Sequence, residues 1–336
     1  MTVSFGLVYD FRSPRRWVDS WGERARALLD QIAWVDEQLS IDAVRVTEHH
    51  FYQDGYLPAP LGLCTAIAAR TRRVEVGTNL ILLPLHQPIR VAEESLVIDA
   101  LSGGRFTLGI GAGYSPVEFG GYGISPTQRP SRLEEGMKIL RGAFAGEPFS
   151  HDGRRYQVDP VTVTPAPVRP GGPPIWGGAF APVAVERVAR LCDGFLSFGL
   201  LGADVYRAEC ERLGRPRSEQ RLNGTYFAMI AEDPERAYAK IAPHYLYMIN
   251  GYITNNAFPG LTPFDDAKAV LRQTEEMGFG LLTDAAGAIE RFNGAIDAGA
   301  VSIDITPVIP GEDLDHAAER LQYLSDHVIP HLKAPP

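Results

Sequence analysis

The chain has 336 residues, 45% of them hydrophobic and 22% charged, enough for one large or two modest domains with a sizeable core. A net charge of −9 argues against a nucleic-acid or anionic-membrane surface, which would need a basic patch, and no run approaches the ~18 apolar residues of a membrane span. The opening Met-Thr-Val-Ser-Phe-Gly lacks the regions of a signal peptide, and the scattered Cys64, Cys192 and Cys210 form no CxxC pair, which suits a reducing cytoplasm and argues against disulfides or zinc.

Short β-branched runs alternate with amphipathic stretches along the chain. "VSFGLVYDF" reads as a strand, followed by a helix over 22–39 with Leu28, Ile32, Val35 and Leu39 at helical spacing. "DAVRVTEHH" is a second strand and 59–70 a second helix. "VEVGTNLILL" is a third strand, and the helix over 88–101 stops at Ser102-Gly103-Gly104. "RFTLGIGAG" precedes a helix over 131–145, "PPIWGG" one over 182–191, and "DGFLSF" one over 203–213. "LNGTYFAMIA" is followed by helical material from Pro234 to Met277. "VSIDITPV" and a helix from Leu314 to His331 close the set.

Eight strand-then-helix units without a linker predict a parallel sheet with crossover helices. Eight in one chain predict a single (β/α)8 TIM-type barrel domain over 1–336 rather than an open sheet. Such a barrel needs ~250 residues, which leaves roughly 80 for insertions. They are expected at about 115–130, 146–174 and 245–285, loops long enough to suggest function.

Barrel active sites lie at the C-terminal ends of the strands. The "EHH" of Glu48, His49 and His50 sits at such an end. A metal site, a catalytic base and a histidine satisfied within a loop all fit these residue types. Side chains alternate along a strand, so His49 and His50 should diverge if the strand continues that far, which argues against a shared metal. Gly109, Gly111 and Gly113 end strand four. As a dinucleotide fingerprint this GxGxG is weak; close approach of backbone to a ligand is the better reading. Gly177-Gly178 before a helix near Pro182 reads as an anion site built from backbone N–H groups, or as a plain tight turn.

Taken together, "EHHFYQDG", "VGTNLILLPLHQPIRVAEE", "LSGGRFTLGIGAGYSPVEFGGYGI" and "PPIWGG…ERVARLCDGF" resemble the bacterial luciferase-like flavin-dependent monooxygenases. The resemblance runs from residue 3 to about 200 in order and spacing. The last third carries little pattern.

That resemblance implies a barrel that holds reduced FMN at its strand ends, with FMNH2 delivered by a separate NAD(P)H-dependent reductase. The flavin reacts with O2 to give a C4a-peroxide, which oxygenates an aldehyde, ketone, sulfonate or activated ring carbon; no charged cluster in the stretch from Tyr245 to Asp266 suggests a sulfonate or phosphate, so a small apolar carbonyl or aromatic compound is expected. The family's catalytic histidine matches His49, with Glu48 orienting that ring or belonging to the wall. The segment under the flavin ring matches Thr78, Asn79 and Leu80, with a non-prolyl cis peptide expected at Asn79–Leu80. Strand-four contacts match Gly111, Ala112, Gly113 and Tyr114; the phosphate loop matches Gly178, Ala179, Phe180 and Ala181. Two positions depart from the pattern. Ala112 stands where the luciferase catalytic subunit has arginine, and Ala181 where serine is common. A related branch uses 8-hydroxy-5-deazaflavin for hydride transfer, and a non-catalytic flavin-binding partner subunit is a second alternative. Tyr9 and Phe11 are expected to line the substrate pocket, and the aromatic stretch from Tyr245 to Asp266 to act as a lid or to pack against a neighbouring barrel. The family implies a homodimer.

Overall fold

The computed structural model describes residues 3–335. Met1, Thr2 and Pro336 lie outside the described residues, and with them the first two positions of the opening stretch.

The strands in chain order are β1 (Ser4–Tyr9), β2 (Ala43–Val46), β3 (Glu75–Thr78), β4 (Ile81–Leu82), β5 (Phe106–Gly111) and β6 (Phe149–Asp152), then β7 (Gln157–Val161), β8 (Ile175–Gly178), β9 (Gly194–Phe198), β10 (Arg221–Ile230), β11 (Gly280–Thr283) and β12 (Ser302–Ile305). β1, β2, β3, β5, β8, β9, β10 and β12 pair in that order, and β12 returns to β1. Every pairing around the ring is parallel. The result is the expected closed (β/α)8 barrel. Parallel strands with helices packed outside are buried on both faces, which explains the near-continuous apolar runs: Phe5, Leu7, Val44, Val76, Leu108 and Ile175 are all fully buried.

Helix starts follow local chemistry. Ser20 caps the helix Trp21–Gln38 by accepting from the Glu23 amide at 3.3 Å. Prolines open the helices at Pro60, Pro88, Pro182 and Pro234, where a missing N–H has no helical partner to lose. Gly103, left-handed at φ 66°, ends the helix Pro88–Ser102 at the stop read from the sequence.

Three departures from the predicted elements matter. The second strand ends at Val46, so "TEHH" is an extended loop. The third strand is broken: Gly77 pairs with Thr107, but Ile81 pairs with Ile110. Four steps on one side against three on the other place one extra residue between Gly77 and Ile81, a β-bulge. Gly109 lies opposite, where a Cβ would collide with the Thr78 carbonyl.

The third departure is in the last third. The helical stretch from Pro234 to Met277 is two helices, Pro234–Thr254 and Ala267–Glu276. β11 and the helix Ala285–Asp297 follow, which the sequence reading did not assign. β10 is ten residues long. Its first half closes the barrel, while Phe227–Ile230 pairs with β11 outside the ring. Of the remaining predicted insertions, 115–130 holds the short helix Pro116–Gly121, and 146–174 holds the antiparallel hairpin of β6 and β7.

Two large buried clusters share the molecule, with a small third one of Leu82, Leu85 and Phe119. The largest surrounds the barrel strands and the inner faces of the helices. The second lies around the upper half of β10 and is rich in aromatics, among them Tyr56, Phe227, Tyr245, Tyr252, Phe258 and Phe279. Among the described residues, no helix is long and apolar enough to cross a membrane.

Candidate active site

The floor of the site is the bulge. The Thr78 hydroxyl accepts from the Gly109 amide at 2.9 Å and donates to the Gly109 carbonyl at 2.8 Å. It replaces ladder bonds that the extra residue disrupts. The Asn79–Leu80 peptide is cis, at the expected place. The Asn79 amide points down the barrel and donates to Thr225 Oγ1 at 3.1 Å. Below it, Asp304 binds Arg45 at 3.0 Å; burial pushes its carboxyl up, and Arg45 opposes that. Leu80 lies across two glycines. A Cβ at Gly111 or Gly178 would strike its methyl groups. Those glycines therefore seat an apolar platform at the barrel mouth.

His49 stands beside this floor. Its Nδ1 lies 2.8 Å from Glu118 Oε1. A carboxylate only accepts, so Nδ1 carries the proton there. Nε2 is then the basic nitrogen, and the Tyr114 hydroxyl donates to it at 3.1 Å. The rings of Tyr56, Tyr52, Tyr114 and Tyr252 surround the imidazole with centroids at 4.5, 5.2, 5.4 and 6.1 Å. Burial raises the pKa of all four phenols, so they remain neutral hydrogen-bonding groups.

His50 diverges from His49, although the strand has ended at Val46 and strand alternation is not the cause. Its Nε2 donates to Glu48 Oε1 at 2.9 Å, and its Nδ1 accepts from the Tyr122 hydroxyl at 3.1 Å. His86 Nε2 reaches the same Glu48 oxygen at 2.7 Å, and the Leu82 amide donates to the other. Burial alone would raise the Glu48 carboxyl. The imidazoles of His86 and His50 outweigh it and hold the group at about 2. Burial correspondingly works against a charged His86, but Glu48 raises it above its ordinary value. Donor atoms of Glu48, His50 and His86 lie within 4.8 Å of one another, a set of the type that holds transition metals. Here both ring N–H groups are spent on one carboxylate oxygen, which makes the cluster a proton-bonded pair of grips.

One wall is the aromatic cluster. Phe180, half exposed, stacks on Phe198 at 5.8 Å. The buried Arg12 guanidinium lies over Tyr56 at 4.3 Å and Tyr252 at 5.0 Å. Burial opposes its charge, but Asp10, 2.8 Å away, keeps it protonated. Arg12 also reaches the Met248 carbonyl at 3.4 Å, which ties the helix Pro234–Thr254 to the end of β1. In the turn that carries Phe180, the Ala179, Phe180 and Ala181 amides donate to no protein group among the described residues. They precede the helix Pro182–Leu191, whose first turn has no side-chain cap. Backbone of this kind suits an anion.

The structure thus brings together His49, Leu80, Gly111, Tyr114 and Gly178, with Ala112, Gly113, Ala179, Phe180 and Ala181 in the adjoining turns. Thr78 and Asn79 support the floor from below. Three expectations change. Glu48 does not touch the His49 ring; it grips His50 and His86. Tyr9 does not line the pocket: it is fully buried and donates to Gln31 Oε1 of the first helix at 3.1 Å, because alternation along β1 turns it outward. Phe11 lies beside it in the same outer cluster, 6.3 Å away. The sequence reading missed Glu118, His86, Tyr122, Tyr252 and Arg12. Glu118 had one available signal, an acid between Val117 and Phe119 in a short Pro-started helix.

Comparison with known proteins agrees with this fold. Protein y4wF of Sinorhizobium fredii is 30% identical over 240 residues, covering 68% of this chain and 69% of that protein. The 4-hydroxyprotoasukamycin monooxygenase of Streptomyces nodosus subsp. asukaensis is 31% identical, covering 51% of this chain and 47% of that one. The F420-dependent glucose-6-phosphate dehydrogenase of Nakamurella multipartita is 29% identical, covering 50% and 51%. Beyond y4wF, the chain thus spans about half the length of these relatives. Among solved structures, monooxygenase RslO1 of Streptomyces bottropensis superposes with a TM-score of 0.83 at 23% identity, covering 98% of this chain and 99% of that one. The oxygenating constituent of 3,6-diketocamphane monooxygenase from Pseudomonas putida, solved with FMN, gives 0.76 at 20%, covering 100% of both. The profile of the luciferase-like monooxygenases matches residues 11–299, and the chain belongs to that family.

Proposed function

We propose that the protein is a flavin-dependent monooxygenase that uses reduced FMN and O2 to oxygenate a small apolar carbonyl or aromatic compound. The observation that carries this reading is His49, whose Nε2 meets the Tyr114 hydroxyl at 3.1 Å inside an aromatic cage at the barrel mouth. The residues present fit a flavin. Leu80, held over Gly111 and Gly178, gives a tricyclic ring an apolar seat, and the Ala179–Ala181 amides suit its phosphate. Ala112 and Ala181 offer no charged contact, so phosphate binding rests on backbone.

Bound reduced flavin supplies the electrons for oxygen activation. His49 accepts or returns a proton at Nε2, a role for which an imidazole is suited near neutral pH. Tyr114 holds that nitrogen in place. The cluster of Tyr56, Phe227, Tyr252 and Phe258 excludes water and favours a flat apolar substrate. A separate NAD(P)H:flavin reductase, a homodimeric assembly and a cytoplasmic location belong to the same reading. A second reading, hydride transfer with a deazaflavin, is favoured by the bare Ala112 and by the F420-dependent relatives. A partner subunit without catalysis would have no use for His49 so placed.

The test combines binding and oxygen use. Anaerobic titration should show reduced FMN binding more tightly than reduced deazaflavin. With a reductase and NADH, a panel of apolar ketones, aldehydes and phenols should contain a compound that converts oxygen uptake from peroxide release to product. Binding of deazaflavin alone, with hydride transfer and no oxygen dependence, would replace the first reading by the second.

A further inference from the structure

We infer that Glu118 is the positioning residue that selects which nitrogen of His49 faces the substrate. This rests on the reading of His49 as the proton-transfer group.

The geometry is specific. Glu118 is fully buried in the short helix Pro116–Gly121. Its Oε1 takes two donors from the same loop, His49 Nδ1 at 2.8 Å and the His50 backbone amide at 2.9 Å. The amide bond fixes the carboxylate against the chain that carries His49. The side-chain bond then fixes the ring's rotation about that chain and places its proton on Nδ1. With Nδ1 committed, Nε2 is left as the lone-pair nitrogen toward Tyr114 and the mouth. Glu118 Oε2 is buried with no partner among the described residues. Leaving a buried carboxylate oxygen unpaired is costly, which is unexpected if Glu118 only braces the loop.

The groups facing His49 from its neighbours are Tyr52, Tyr56, Tyr114 and Tyr252, with Arg12 behind Tyr56. Glu48 is turned toward His50 and His86. Among the described residues, then, Glu118 is the carboxylate hydrogen-bonded to this ring. Seen from His49, the helix Pro116–Gly121 is a mount for its counter-ion rather than filler between strand and helix.

The experiment labels the histidines with 15N and reads the tautomer of His49, assigned by the signal lost in His49→Gln. Wild type should carry its neutral-state proton on Nδ1. Glu118→Gln keeps the shape and an oxygen for the His50 amide, but it should admit the Nε2–H form. Turnover should fall on the order of 10- to 100-fold with KM within about threefold. Glu118→Asp should return the proton to Nδ1. A wild-type proton on Nε2 overturns the assignment without any variant. An unchanged tautomer in Glu118→Gln also overturns it. The expected tautomer change, combined with no turnover with either cofactor, supports the assignment while removing the functional reading it rests on.

Discussion

Two carboxylates grip the loop at Thr47–Phe51, and their surroundings differ. Glu118 holds His49 by one nitrogen and leaves the other facing the Tyr114 hydroxyl at the barrel mouth. Glu48 holds both His50 and His86, takes the Leu82 amide besides, and has no polar atom to spare. Both histidines are buried, 6% and 4% exposed, so exposure does not distinguish them. The second nitrogen of each accepts from a tyrosine hydroxyl at 3.1 Å, and what distinguishes them is where that tyrosine sits: Tyr114 belongs to the aromatic cage around His49, whereas Tyr122 is half exposed on the far side of His50.

The largest expected effect breaks the grip on His49. His49→Ala should lower turnover about 100- to 10,000-fold, the usual worth of a positioned acid–base group, with flavin affinity nearly unchanged. His50→Ala should cost less than about tenfold in turnover and more in stability. Equal losses of activity in steady-state assays would erase the distinction.

The grip of Glu48 is tested by stability. Glu48→Gln removes the charge between two imidazoles and should destabilise by about 3 kcal/mol, as expected when a buried pair loses one partner. The pH dependence has a definite sign. Glu48 is held near 2, below its ordinary 4.5, so its contribution is complete above 4.5 and fades as pH falls toward 2. His86 is raised above 6.5, so its contribution is complete below 6.5 and fades as pH rises through the folded value. Urea unfolding should therefore show the widest gap between wild type and Glu48→Gln from pH 4.5 to 6.5. A gap that keeps growing above that window would assign the ion pair elsewhere.

The smallest effect sits at the edge of the Glu48 grip. Tyr122 donates to His50 Nδ1 but is 42% exposed, and water can replace it. Tyr122→Phe should cost under about 1 kcal/mol in the same unfolding experiment and leave turnover unchanged.

The barrel was legible because alternating strands and helices repeat a signal eight times, and an error in one unit leaves the others standing. The Glu48-His49-His50 stretch and the glycines of strands four and five were legible because strand ends are fixed points of that architecture, while the choice of His49 within the stretch came from the family resemblance. Glu118 was not, since its partner is 69 residues away and no periodicity links them. Tyr9 was misplaced because facing depends on register, which a one-residue choice inverts. β11, "GLLT", was lost because it pairs with the part of β10 that has left the ring, where the repeating unit no longer applies.

That departure of β10 from the ring has a further consequence. His49, Leu80, Tyr114 and Gly178 are carried by the first five barrel strands and the loops that follow them. Much of the aromatic wall hangs between Phe227, where β10 leaves the ring, and Phe279, just before β11. The chain returns to the ring only at β12, at Ser302. The two lengths of backbone meet at Tyr252, whose ring lies 6.1 Å from the His49 imidazole and whose hydroxyl bonds that of Tyr56 at 2.5 Å. An exchange of the wall between 227 and 283 is therefore an insertion beside the ring that must keep this one contact if the surroundings of His49 are to survive it.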